Sequence, residues 1–139
     1  MAATFTLDIV TPERVLSSIH NAVSVVIPGS EGYFGVLAEH APLITQLIPG
    51  ELRLAQNDGT QEVMAVSGGF VEVTPDKVIV LADTAERAPE IDVDRARESL
   101  KRAEERLSAA QPGTDIDRAR IAMLKAMARL RVAGQKIAI

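Results

Sequence analysis

Few residues of this chain are of the types that carry catalysis. Its 139 residues include no cysteine and only two histidines, His20 and His40, which are not at metal-ligand spacing. Ser67 precedes two glycines, but the G-x-S-x-G pattern of a nucleophile elbow is missing, so Ser67-Gly68-Gly69 is predicted to be a tight turn between strands. The segment Gly29-Ser30-Glu31-Gly32 has neither the lysine nor the following helix of a phosphate-binding loop, and it is also predicted to be a turn. We therefore predict a non-catalytic protein without a metal site.

Charge is distributed unevenly along the chain. Residues 1–89 contain four Lys and Arg against eleven Asp and Glu, whereas residues 90–139 contain eleven against eight. The second predicted helix is basic beyond its first turn, and its cations are Arg118, Arg120, Lys125, Arg129 and Arg131. This pattern suits either a solvated face that complements the helix dipole or docking against an acidic protein surface or nucleotide phosphates. Nucleic acid is a poor fit because the whole chain is acidic and no aromatic residues alternate with the cations.

Two kinds of element carry these residues, and we predict a β unit over residues 1–85 and a helical unit over residues 86–139. Phe5, Leu7 and Ile9 alternate with polar residues, the period of a half-buried strand. Further strands flank Asn57-Asp58-Gly59 and Pro75-Asp76, both typical of hairpin turns. Short strands at this spacing predict a β-sandwich or barrel. Its core must be mostly aliphatic, with Phe5, Phe34 and Phe70 as its largest members.

The helical unit shows two apolar stripes of alternating spacing three and four. They consist of Val93, Ala96, Leu100, Ala103, Leu107 and Ala110, and of Ile116, Ala119, Met123, Ala126, Leu130 and Ala133. Asp92 and Asp115 stand at N-cap positions, and Pro112-Gly113 breaks the chain between the stripes. The pattern predicts an antiparallel two-helix hairpin. Because alanine fills alternate seam positions, we expect this hairpin to be marginally stable alone and able to exchange its contacts.

Three segments resemble the epsilon subunit of F-type ATP synthases: residues 32–42 (GYFGVLAEHAP), residues 67–73 (SGGFVEV) and residues 76–85 (DKVIVLADTA). They occur in the expected order, and the resemblance covers essentially the whole chain. The sequence departs from the family pattern at Tyr33-Phe34. It departs again at Ala38-Glu39, where the family often has Pro-Gly. The resemblance implies an α+β fold, in which an antiparallel β-sandwich of about ten short strands precedes an antiparallel helical hairpin.

The resemblance also implies a function and partners. The chain would be a non-catalytic rotor subunit of the central stalk in a proton- or sodium-translocating synthase. It would couple rotation between the gamma subunit and the c-ring, and its helices would inhibit ATP hydrolysis. The loop Ser30-Glu31-Gly32 would face the ring, and His40 would be a further partner contact. The cations of the second helix would reach the catalytic beta subunits. No cofactor is required, and no apolar run approaches the roughly 20 residues that span a bilayer. We therefore expect peripheral association, through the complex, with the cytoplasmic face of a bacterial plasma membrane or, as an alternative, the stromal face of a thylakoid.

A last match concerns ATP as a regulatory ligand. Ile91, Asp92, Arg95 and Ala96 resemble the I/L-D-x-x-R-A motif of family members whose folded hairpin binds ATP, and Arg129 and Arg118 are candidates for the same site. The alternative is that Asp92 is only an N-cap and Arg95 its ion-pair partner one turn later. A free-standing nucleotide-binding sensor, unconnected to a synthase, remains the alternative function.

Overall fold

The computed structural model describes residues 3–109 and 111–135 of the chain. Its first part is a β-sandwich. The strands within these residues are β1 (Phe5–Thr11), β2 (Arg14–Gly29), β3 (Gly32–Leu37), β4 (Leu43–Gln46), β5 (Gly50–Gln56), β6 (Gln61–Val73) and β7 (Lys77–Arg87). β7 thus continues two residues beyond the predicted boundary at residue 85.

The sheet closes on itself because long strands change partners along their length. β2 pairs with β1 in its first half and lies between β3 and β5 in its second. β6 pairs with β5 at its start and with β4 at its end, while β7 follows it along most of its length. The predicted fold class is confirmed, but residues 3–109 and 111–135 form seven strands rather than about ten, because β2, β6 and β7 are each as long as two short strands. One pair, β1 with β7, is parallel.

The core of the sandwich is aliphatic, as predicted. Leu7, Ile9, Ile27 and Leu52 are fully buried in it. Phe5 is also buried and Phe34 packs against the core, but the placement of Phe70 in the core was wrong. Side chains alternate along β6, so Val71 and Val73 point inward and Phe70 lies on the outer face with 56% of its surface exposed.

The tight turn predicted at Ser67-Gly68-Gly69 was also wrong, because these residues lie inside β6. Gly68 and Gly69 have φ values of +64° and +96°, a region that favours glycine. A Cβ on Gly69 would lie 1.7 Å from the carbonyl oxygen of Leu81 on β7. The glycines therefore allow a close approach of two backbones within a continuous strand.

The helical hairpin follows a single 3-10 turn at Ala88–Glu90 and consists of α1 (Val93–Ser108) and α2 (Ile116–Val132). Ala96 and Ala103 of the first stripe are buried, and so are Ala119, Ala126 and Leu130 of the second. These residues confirm the predicted seam, although Ile116 is partly exposed and Ala110 lies outside the described residues.

A second face of α2 packs on the sandwich. Ala128 is buried against Ala65 of β6 and against Ile91, which precedes α1, while Val132 and Ala133 are half buried beside them. Ala65 points away from the sandwich core, between the buried Met64 and Val66 of the same strand. The hairpin is therefore docked on the outer face of β5 and β6 through a small apolar contact.

Candidate functional site

The first feature of the site is the start of α1. The Arg95 backbone N–H donates a hydrogen bond to Asp92 Oδ1 (3.1 Å), so Asp92 is the N-cap of α1, as the sequence predicts. Asp115 caps α2 in the same way through the Arg118 N–H (3.0 Å). No ion pair joins the Arg95 guanidinium to Asp92 in the described ranges. The Arg95 side chain is exposed and available to a ligand.

A cleft lies between α2 and the sandwich. Its volume is about 170 Å³, and its walls are formed by Ala65, Val66, Ser67, Thr84, Glu86, Lys125 and Arg129. The hydroxyls of Ser67 and Thr84 are hydrogen-bonded to each other at its base. Two cations and two hydroxyls suit an anion, but drug-sized ligands occupy pockets of about 300–1,000 Å³, so a nucleotide requires the cleft to widen.

One of these cations already forms an ion pair with a carboxylate. Arg129 Nε donates to Glu86 Oε1 at 2.6 Å, and the two side chains are only 33% and 24% exposed. Glu86 is the β7 partner of Ala65, so this ion pair lies directly beside the apolar contact of the hairpin. The pair and the apolar contact together hold α2 on the sandwich.

Of the six residues predicted for nucleotide binding, Arg129 lines this cleft, and four others lie at the same end of the hairpin as Arg129. Ile91 touches Ala65 and Ala128, and it brings Asp92, Arg95 and Ala96 to the end of the hairpin where Arg129 lies. Ala96 is buried in the hairpin seam.

Arg118 is not brought to this end of the hairpin. It lines a separate cleft with Arg106, Thr114 and Asp115, where α1 ends and α2 begins. Arg106 follows Arg95 by eleven helical residues, which is about 16 Å along α1. Arg118 therefore does not share a site with Arg95 in this conformation, because the antiparallel hairpin separates them by most of its length.

The five cations predicted to meet a partner are in three environments. Arg129 is paired with Glu86, and Lys125 is exposed at the rim of the same cleft. Arg118, Arg120 and Arg131 are exposed, and Arg120 lies 3.7 Å from the even more exposed Asp117. Exposed pairs of this kind contribute about 0–1 kcal/mol, so most of the basic face stays available to an acidic surface.

The other predicted partner contacts lie on the sandwich. Ser30 and Glu31 form the exposed turn between β2 and β3, where the Ser30 N–H donates to the Gln46 carbonyl (2.9 Å). Gly32 follows with φ +118°. His40 is half buried at the opposite end of β3, and its Nδ1 lies 2.7 Å from the Ala41 carbonyl oxygen. The structure therefore separates His40 from the Ser30-Glu31-Gly32 turn by about the length of the strand.

An apolar surface was missed by the sequence analysis. Phe70 is the cross-strand partner of Leu81, Leu81 of Val10, and Val10 of Val15, so the four form one row across β6, β7, β1 and β2. Phe70, Leu81 and Val15 are each about half exposed or more. The signal was present in the alternation of β6, in which Val71 and Val73 already account for the buried face.

A polar cluster occupies another part of the sandwich surface. Ser18 Oγ donates to Asp8 Oδ1 (2.7 Å), and Lys77 Nζ lies 3.2 Å from Asp8 Oδ2. The hydrogen bond from Ser18 and the charge of Lys77 hold the pKa of Asp8 below its usual value. The described part of the chain contains neither a cluster of side chains suited to a metal ion nor a helix able to cross a bilayer.

Comparison with known proteins covers both units. Residues 4–88 match the family "ATP synthase, Delta/Epsilon chain, beta-sandwich domain", and residues 90–134 match "ATP synthase, Delta/Epsilon chain, long alpha-helix domain". The ATP synthase epsilon chain of Moorella thermoacetica is 53% identical over 111 residues, covering 80% of this chain and 82% of that one. The epsilon chain of Dehalococcoides mccartyi is 57% identical over 99 residues, covering 70% and 69%.

A chain in the cryo-EM structure of the Euglena gracilis mitochondrial ATP synthase (OSCP/F1/c-ring) has the same fold. It superimposes with a TM-score of 0.82 at 24% identity, over 97% of this chain and 84% of that one.

Proposed function

Since this chain belongs to the epsilon-chain family of F-type ATP synthases, as a non-catalytic subunit of the central stalk, we propose that its two units have separate tasks. The sandwich couples the gamma subunit to the c-ring, and the hairpin inhibits ATP hydrolysis. The observation that carries this division is the contrast in how the units are held. The sandwich has a closed sheet and its own core, whereas the hairpin, in the part of the chain that the structure describes, is docked by a few small residues and one ion pair.

The family assignment favours this function over a free-standing nucleotide sensor. Other subunits of the synthase are therefore the partners, and we place the chain on the cytoplasmic face of a bacterial membrane through them.

We assign the gamma subunit to the apolar row of Phe70, Leu81, Val10 and Val15. An exposed apolar surface that crosses four strands is typical of a protein interface. The exposed Ser30-Glu31-Gly32 turn lies one strand from the end of this row, because the Ser30 N–H donates to the carbonyl of Gln46, the β4 partner of Phe70. We assign the turn to the c-ring, so one rigid unit contacts both partners.

Binding of isolated gamma subunit to a Phe70→Ser variant tests the first assignment. We expect at least a tenfold loss of affinity, because burial of a phenylalanine is worth about 1.5–3 kcal/mol. Ile121→Ser is the matched control, since Ile121 is a similarly exposed apolar residue of α2. Equal affinity of the two variants would disprove the assignment.

We propose that the hairpin inhibits hydrolysis after leaving the sandwich, when the basic face of α2 meets an acidic segment of the beta subunits. The small docking contact supports a modest cost of release. Alanine at Arg118, Arg120 and Arg131 should raise ATP hydrolysis by the assembled complex. The matched control replaces Lys101, Arg102 and Arg106 of α1, which removes the same charge from the other helix. If both triple variants hydrolyse ATP at one rate, net charge rather than the α2 face is responsible.

We further propose that the cleft between α2 and the sandwich is the binding site for ATP. Lys125, Arg129 and Arg95 would hold the phosphates, and Asp92 would orient Arg95 or accept from the base. A ligand that binds the docked hairpin stabilises it by RT ln(1 + [L]/Kd). Titration calorimetry should show binding to the parent and none to Arg95→Ala or Arg129→Ala. Arg118→Ala should bind like the parent, because Arg118 lies at the far end of the hairpin. Absence of heat with millimolar ATP would overturn the site but not the stalk assignment.

A further inference from the structure

We propose that the open edge of β3 accepts an extended segment of a partner protein as an additional strand, and that this segment has alternating apolar residues with basic residues at its ends. This surface is distinct from the apolar row and from the hairpin cleft. Within the residues that the structure describes, β3 pairs with β2 alone. Its other edge is therefore free to form a ladder.

The pairing register defines which backbone groups face that edge. Tyr33 is opposite Pro28, which has no N–H, and the Pro28 carbonyl accepts from the Ile48 N–H (2.9 Å) away from β3. Pro28 and Tyr33 therefore form a non-hydrogen-bonded pair. Because such pairs alternate with hydrogen-bonded ones in antiparallel strands, Gly35 and Leu37 also direct their N–H and C=O groups outward.

The edge lacks the devices that usually prevent strand addition. Residues 32–37 contain no charge and no proline, and their register with β2 is regular. Leu37 is 63% exposed on the outer face of this strand. The Tyr33 hydroxyl accepts from the Glu51 N–H (3.0 Å), which draws the ring across β2 and leaves the surface beside Gly35 uncovered. An incoming strand would find three pairs of backbone groups with apolar side chains beside them.

Charge at the two ends of the strand selects the occupant. Exposed Glu31 precedes β3 and exposed Glu39 follows it. A second copy of the chain, paired antiparallel about Gly35, would place Glu31 opposite Glu39 of that copy, and like charges opposite each other destabilise a pair. A segment of about six to eight residues with Lys or Arg at both ends would meet attraction at each.

The proposal can be tested on the full chain with a synthetic peptide. The peptide is end-capped, and it has three valines that alternate with threonines between two terminal lysines. Because their N–H groups face the open edge, Tyr33, Gly35 and Leu37 should exchange their amide hydrogens rapidly in the free protein, and addition of the peptide should slow this exchange. A peptide with terminal glutamates should bind at least fivefold more weakly at low salt. Protection of other amides by the lysine peptide, no protection at all, or equal affinity of the two peptides would overturn the proposal.

Gly35 provides matched variants. A Cβ at Gly35 would touch nothing within 4 Å, so Gly35→Ala should bind the lysine peptide like the parent. Gly35→Pro removes one outward donor and should bind at least tenfold more weakly while keeping its circular dichroism spectrum. Equal binding by the proline variant would exclude strand addition. Concentration-dependent protection of the three amides without peptide, with a dimer in sedimentation, would show that a second copy occupies the edge.

Discussion

Replacing Glu86 by glutamine should strengthen ATP binding. In the docked hairpin Arg129 is held by the Glu86 carboxylate at 2.6 Å, and a phosphate must compete for the same guanidinium. Glutamine keeps the size of the side chain and removes its charge. The variant therefore isolates the electrostatic part of this competition.

The magnitude follows from exposure. A fully exposed ion pair contributes about 0–1 kcal/mol, and a hydrogen bond to a charged group about 1.5–3 kcal/mol. With Arg129 and Glu86 one-third and one-quarter exposed, screening leaves about 1 kcal/mol. Since 1.36 kcal/mol is a factor of ten, the dissociation constant for ATP should fall by about fivefold. The hairpin should also be released more readily, by a similar factor, in native-state proteolysis without ATP.

Glu62→Gln is the control for calorimetry and proteolysis. Glu62 pairs with Arg87 at 2.5 Å with comparable exposure, but this pair does not involve α2. We expect a similar loss of global stability with unchanged ATP affinity and hairpin release. An ATP affinity of Glu86→Gln equal to or below that of Glu62→Gln would refute the competition.

Three further predictions concern the sandwich. Gly69→Ala should lower the unfolding free energy by at least about 3 kcal/mol, because the new Cβ would lie 1.7 Å from the Leu81 carbonyl oxygen. The control Gly59→Ala is also at positive φ but in open space, so it should lower the unfolding free energy by only about 1–2 kcal/mol. Equal losses in urea denaturation would contradict this prediction. Glu39→Gly should stabilise by up to about 1 kcal/mol, because Glu39 has φ +65° and glycine removes that strain at some entropic cost in the unfolded chain; a lower thermal midpoint would argue against it. Because the pKa of Asp8 is lowered in the folded state, its ionised form stabilises above the unfolded pKa, and this contribution is lost as pH falls through the folded pKa. Asp8→Asn should therefore destabilise at pH 7, and the difference in unfolding free energy should shrink as the pH falls through that folded pKa; a pH-independent difference would show another origin.

The sequence predicted what depends on local periodicity. The seam alanines, the caps Asp92 and Asp115 and the hairpin at Gly59 all follow from residue spacing or turn chemistry, and the structure confirms them. The docked face of α2 was missed because Ala128 is a poor indicator of burial by itself and its partner Ala65 is 63 residues away.

Errors arose where a local signal has two meanings. Gly68-Gly69 indicates a turn by composition, yet here the glycines let β6 and β7 approach closely inside a strand. Arg118 and Arg95 were predicted to share a site because both are cations of the helical unit. The two helices are antiparallel, so Arg118 at the start of α2 lies at the opposite end of the hairpin from Arg95. Phe70 was placed in the core by its size, although the alternation of its neighbours assigns it to the surface.

The parallel pairing of β1 with β7 sets an order of folding during synthesis. Thr6 pairs with Lys77, so β1 must wait for 71 further residues before its partner exists. At roughly 5–20 residues per second, that interval is several seconds, during which β1 can pair only with β2. Closure of the sheet is therefore a late, non-local event, and we expect it to limit the rate of folding. The helices are synthesised after β7 and form from near neighbours, so a nascent chain can complete its sandwich before its hairpin.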